Sequence, residues 1–153
     1  MNEIWHRVMV FVLSMVPVIE LRGAIPYGIA FGLDMWETLL LSITGNMLII
    51  PFVVLLFNRI LVLMKKLKFT AKLAEWLENR VIKKAEKVEN LVFLGLIMFV
   101  AIPLPGTGAW TGSMIAGLLN MKLRKAFWPI AIGVMIAGAI VTLVTYGVIN
   151  IVT

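Results

Sequence analysis

The chain has 153 residues, 61% of them hydrophobic and only 14% charged, with a mean hydropathy of +1.02 and a formal net charge of +6. A soluble domain of this size is nearer half apolar and a quarter charged, so an ordinary soluble fold is excluded. Long continuous apolar runs exclude the alternating strands of an outer-membrane barrel, and the absence of cysteine excludes disulfides, thiolate metal sites and a cysteine nucleophile.

The first apolar run, Ile4 to Ile19, is a marginal span, because crossing about 30 Å of hydrocarbon takes about 20 helical residues. A cleaved signal peptide fits it poorly: Glu3 precedes it, Arg7 is its one basic residue, and no small-x-small cleavage site follows. It runs into Pro17, Glu20, Arg22, Gly23 and Pro26 before a brief apolar piece, Tyr27 to Leu33. Trp36 to Met64 is long enough to cross. Within it Asn46 can face the broken segments and Pro51 can kink the helix, with Gly45 and Asn58 nearby; packing is the alternative role for all four. Lys65 to Asn90 is charged yet periodic, with Ala74, Leu77, Val81, Ala85, Val88 and Leu91 spaced by three or four. That predicts an amphipathic helix, either lying on the membrane surface with Trp76 as anchor or serving as a gate. Leu91 to Ile102 is too short to cross and meets Pro103-Leu104-Pro105-Gly106-Thr107-Gly108, then a short helical piece from Gly112 to Met121. Ala126 to Ile149 is a second full span.

Irregular backbone at membrane depth is tolerated only where protein or a wet cavity satisfies it, so both broken segments are expected to be re-entrant hairpins. Under that topology eleven basic residues, from Lys65 to Lys87 plus Lys122, Arg124 and Lys125, share one face and Arg7 lies on the other, as the positive-inside rule requires. A shift of 86 residues also superimposes Pro17 on Pro103, and Ile29, Ala30, Leu33 and Met35 on Ile115, Ala116, Leu119 and Met121. The expectation is an all-α integral membrane protein with an inverted-topology repeat. One membrane domain, 1–153, holds a first repeat 1–64 (hairpin 4–33, span 36–64), a cytoplasmic helix 65–90, and a second repeat 91–153 (hairpin 91–121, span 126–149). Four segments, two of them broken, are few for shielding two polar hairpins, so a homodimer in the plasma membrane, surrounded by lipid, is expected.

Glu20 and Arg22 are the most informative pair, because an ionisable residue at membrane depth is costly and faces a polar cavity or a partner. Glu20 is the candidate proton carrier, and Arg22, with its planar fork of donors, the candidate ligand for an anionic group. The alternative is a structural ion pair at the hairpin tip. In the second break Gly106 and Gly108 expose backbone amides, Thr107, Thr111 and Ser113 offer hydroxyls, and a helix is expected to start near Thr111. Such a helix N-terminus attracts anions, or the glycines and prolines simply make a turn. Trp110 is an interfacial anchor or a wall of the site. Gly23, Pro26, Asn46, Pro103 and Pro105 are expected to support these groups. His6, the one histidine, sits near a membrane edge, which argues against a metal site or histidine catalysis. No cofactor is expected. Nucleic acid is not an expected partner, because no aromatic-plus-basic reading face exists. Without a paired nucleophile and base, an enzyme is not expected either.

At Glu20-Leu21-Arg22-Gly23-Ala24-Ile25-Pro26, and again from Pro103 through Ala109-Trp110-Thr111-Gly112, the chain resembles the small multidrug export protein family over nearly its whole length. That family resembles a branch of the DedA superfamily, and Ile115-Ala116-Gly117 followed by Met121 and basic residues is similar to the DedA second hairpin. The resemblance implies paired re-entrant hairpins and transport of polyprenyl-phosphate or phospholipid. DedA members carry basic residues in the second hairpin, whereas Gly106, Thr107 and Gly108 stand here, leaving Arg22 the only basic residue at either break. The leading expectation is a proton-coupled secondary transporter or flippase for an anionic lipid. The alternatives are efflux of small cationic amphipathic drugs and a non-transporting scaffold.

Overall fold

The computed structural model describes residues 2–152, so Met1 and Thr153, the ends of the expected domain, lie outside the described residues. Those residues are helical, with no strand among them: α1 (Asn2–Met15), α2 (Glu20–Ala30), α3 (Met35–Lys66), α4 (Ala71–Trp76), a π-helical turn (Leu77–Ile82), α5 (Lys83–Lys87), α6 (Glu89–Ala101), α7 (Ala109–Leu118) and α8 (Leu123–Val152). Two helices, α3 and α8, are long and apolar enough to cross a bilayer.

Local chemistry sets the ends. Asp34 starts α3, its carboxylate accepting from the amides of Trp36 (2.9 Å) and Glu37 (3.2 Å), and Lys65 and Lys66 sit in the last turn, where the helix dipole favours cations. α6 stops because Ile102, before Pro103, takes an extended conformation. The first break is shorter than expected. α2 begins at Glu20 and carries Pro26 in its interior, which deletes only the bond to the Arg22 carbonyl. α7 likewise begins at Ala109, two residues before the expected Thr111.

The expected amphipathic helix 65–90 is corrected in phase. α3 continues to Lys66, a turn follows, and the π turn at Leu77–Ile82 inserts an extra residue, so that Ile82 is buried with Ala74 while Val81 is only half-buried.

The chain folds back twice. His6 Nδ1 lies 3.0 Å from the Tyr27 hydroxyl, so α1 and α2 begin and end at one level, beside Arg7 and Glu37, whose Nε and Oε1 are 2.6 Å apart. At the opposite end Lys65 meets Glu78 at 2.9 Å and Lys125 meets Glu89 at 2.6 Å. α1 packs on α2 and α3, α6 packs chiefly on α8, and α7 packs on α3. Small residues permit these approaches: a Cβ on Gly28 of α2 would run into Thr38 of α3 and lie 2.9 Å from Val10 of α1. The core gathers Leu21, Ile25, Ile50, Val54, Val100 and Ile130 from four helices.

Candidate functional site

Both breaks meet, and they meet through complementary charge. Glu20, 4% exposed, starts α2 and reaches across to α7, where its Oε1 accepts the Trp110 amide at 3.0 Å. An acid there lies at the positive end of the α7 dipole. Arg22, two residues along α2, reaches the other side of the second break. Its Nη1 donates to the carbonyls of Leu104 (2.8 Å) and Thr107, and its Nη2 to the Ile102 carbonyl (3.2 Å) and the Thr107 hydroxyl (2.9 Å). These are the acceptors that the end of α6 and the following turn leave without helical partners. Glu20 and Arg22 form no ion pair with each other among the described residues; each serves the second break instead.

Gly108 makes this possible. Its φ is +142°, and a Cβ there would stand 2.8 Å from the Glu20 carboxyl carbon, so only glycine lets the carboxylate in. Trp110 closes the contact from the other side, its indole N–H donating to the Met15 carbonyl at 2.9 Å, across the first break. Thr107 is tied internally, its hydroxyl 2.7 Å from the Ile102 carbonyl. Glu20, Asn46, Gly108, Val134 and Ala137 line a narrow seam of about 150 Å³ with no room for a water molecule.

Of the sequence-predicted residues, Glu20, Arg22, Thr107, Gly108, Trp110 and Asn46 are therefore together. Gly106 (φ +85°) has open space around it and lies with Pro103 and Pro105 on the exposed rim of the turn. Thr111 is half-buried one step into α7, and Ser113 is fully buried with an unpartnered hydroxyl. Gly23 packs against Ile19. Asn46 is fully buried, and both of its amide atoms lack a hydrogen-bond partner among the described residues. Sequence reasoning missed Thr38 and Ser42, which are also fully buried with free hydroxyls. Their spacing of four with Asn46, inside an apolar span, was the available signal. A separate cavity of about 130 Å³ at the basic end, lined by Glu86, Glu89, Lys122 and Lys125 among others, has neither Glu20 nor Arg22 in its lining.

Two apolar spans and a charged junction between broken helices define a small all-helical membrane protein. More particularly, the chain belongs to the family described as "Putative small multi-drug export protein", whose model matches residues 20–140, from Glu20 through most of α8. No curated protein and no solved structure matches the chain.

Proposed function

We propose that this protein is a proton-coupled secondary transporter that exports small cationic amphipathic compounds, with Glu20 occupied in turn by a proton and by the cargo. The observation that carries this reading is the unequal state of the two charges at the junction. The four terminal N–H groups of Arg22 are directed at acceptors of the second break. Glu20 meets only the backbone amides of Trp110 and Ala109 at the start of α7 and faces the unpartnered amide of Asn46. An anionic headgroup would have to strip Arg22 from four bonds to the second break, one of them to the Thr107 carbonyl. A cation needs only the carboxylate, and the family description points the same way. The anionic-lipid expectation therefore gives way to the drug-efflux alternative.

The reading includes an architecture of DedA type: two re-entrant hairpins entering from opposite faces of the plasma membrane, with the basic segment 65–90 cytoplasmic. Support comes from the packing, in which α1 on α3 is answered by α6 on α8, and α7 on α3 by α2 on α8. The breaks also expose Val18 (91%), Leu104 and Gly106, a surface that a second copy of the chain would shield from lipid. Single cysteines at Asp34 and Lys72 should be labelled from opposite sides of the membrane, and those at Lys72 and Lys122 from the same side; labelling Lys72 and Lys122 from opposite sides would sink the inverted repeat.

The functional test is proton release. In weakly buffered detergent solution, ethidium binding to the parent should release protons in step with the cation bound, and the Glu20→Gln variant should release none. Binding with no proton release by the parent, or an unchanged release by a well-folded Glu20→Gln variant, would refute the shared site.

A further inference from the structure

We propose that protons reach Glu20 along a track of polar side chains buried between α2 and α3, running from Asn46 through Ser42 to Thr38, and opening at the end of the molecule that carries Arg7 and Glu37. The proposal rests on Glu20 being the proton-coupling group.

The register of the two helices lays the track out. Gly28 abuts Thr38 and Glu20 shares its seam with Asn46, so α2 and α3 are antiparallel and steps of four on one match steps of four on the other. Ser42 therefore stands opposite Ala24. Each polar residue of α3 faces a junction residue or a small one on α2, and Ala24, Thr38, Ser42 and Asn46 are all fully buried. From Asn46 to Thr38 is eight residues of helix, a rise of about 12 Å.

The hydroxyls are free, which is the unusual feature. Serine and threonine inside helices commonly bond back to a carbonyl one turn earlier. Thr44, on the exposed side of the same helix, does so, donating to the Leu40 carbonyl at 2.6 Å. Ser14 of α1 bonds the Phe11 carbonyl, also at 2.6 Å. Thr38 and Ser42 make no such bond, and Asn46 has both amide atoms unpartnered. Close helix packing alone would be served by alanine at these positions, without the cost of burying an unpaired polar group. Side chains four apart on a helix lie about 5–6 Å from one another, a gap that a single bridging water spans. The seam at Glu20 is closed to water in this conformation, so the wire forms when α2 draws away from α3.

The track has one direction. Beyond Asn46 the same face of α3 continues as Ile50 and Val54, both fully buried. Toward the α3 N-terminus, Thr38 lies level with Val10, one turn along α1 from Arg7. There Arg7 pairs with Glu37, and His6 meets Tyr27. The groups that face Glu20 itself are Arg22 on its own helix, the Asn46 amide from α3, the Trp110 and Ala109 amides from α7, and uncharged Val100 from α6 and Val134 and Ala137 from α8.

The chain has no cysteine, so single-thiol variants report access directly. In oriented vesicles, silver ions added on the side that reaches a Glu3→Cys reference should block the Ser42→Cys and Asn46→Cys variants against later maleimide labelling of the denatured protein. Added on the side that reaches Lys72→Cys they should not, and Ile50→Cys should stay protected from both. In parallel, Thr38→Val and Ser42→Ala, which keep the packing volume, should each slow proton-driven ethidium export about tenfold while leaving ethidium affinity unchanged. The track is overturned if the Ser42→Cys and Asn46→Cys variants are as protected as Ile50→Cys, if they open from the Lys72 side, or if both hydroxyl deletions export at the parent's rate. Its failure is distinguishable from that of the coupling reading. Silent thiols with a Glu20→Gln variant that no longer couples sink the track alone, whereas a Glu20→Gln variant with full proton coupling sinks the reading of Glu20 and the track with it.

Discussion

The break between α1 and α2 contributes charged side chains, whereas the break between α6 and α7 contributes bare backbone, opened by glycine and proline, and no charge. Each makes up what the other lacks. Arg22 serves acceptors left over where α6 ends, and Glu20 accepts from the amide of Trp110 at the start of α7. On the proposed re-entrant architecture, two irregular segments that would each be intolerable alone in hydrocarbon become tolerable by docking on one another. The difference also divides the labour. Arg22 is fixed in place by several acceptors, so it is suited to holding the junction, while on the proposed reading the carboxylate of Glu20, held by backbone amides alone, is the group that exchanges.

The sharpest way to break that division is to neutralise the two charges separately. Glu20→Gln keeps size and hydrogen-bonding capacity but cannot carry a proton, so proton-driven export in reconstituted vesicles should fall to background while thermal unfolding in detergent stays near the parent's. A well-folded Glu20→Gln variant exporting at the parent's rate and pH dependence would make Glu20 a structural residue. Arg22→Ala should do the reverse in kind. It removes charge-assisted bonds worth about 1.5–3 kcal/mol each where they are shielded from water, chiefly those to Thr107, so the folded protein should be destabilised by about 2–3 kcal/mol. Arg22→Lys, a point charge without the planar fork, should recover part of that stability and still support ethidium binding. An Arg22→Ala variant as stable as the parent would remove Arg22 from the junction.

How much of this could be read from the residues follows the range of the interactions. Trp36–Met64 and Ala126–Ile149 stand out because a span is a local property of about 20 residues, and α3 and α8 do occupy them. The interruptions around Pro17 and Pro103 are equally local. Arg22 was legible as a charge out of place, yet its partners lie 80 to 85 residues away, and no local pattern announces a side chain that caps a distant turn. Its expected anionic ligand was the natural reading of a guanidinium whose carbonyl partners could not be seen. The start of α2 at Glu20 was hidden because Pro26 reads as a breaker, while the packing of Gly28 on Thr38 and Val10 holds the helix through it. Thr38 and Ser42 were overlooked because single hydroxyls in a span are ordinary; only the structure distinguishes them from the back-bonded Thr44.

The smallest expected effect, at Gly106, lies within the second break, whose two positive-φ glycines differ in backbone conformation, burial and surroundings. Gly108 (φ +142°) has the Glu20 carboxylate where a Cβ would go, and Gly106 (φ +85°) has nothing within 4 Å. An alanine at either position carries the strain of a backbone conformation that L side chains rarely adopt, about 1–3 kcal/mol, with Gly108 in the more restricted region. At Gly106 that strain is the whole cost, so Gly106→Ala should lower thermal stability slightly and leave ethidium binding and proton release intact. At Gly108 the new methyl must also expel the carboxylate from Trp110, breaking a bond to a charged group worth a further 1.5–3 kcal/mol, roughly. Gly108→Ala should therefore lose both stability and coupled proton release. Measured side by side, the pair separates backbone strain from the fit of Glu20. Equal loss of coupling in both variants would mean that the turn conformation, and not the docking of one break onto the other, is what the site requires.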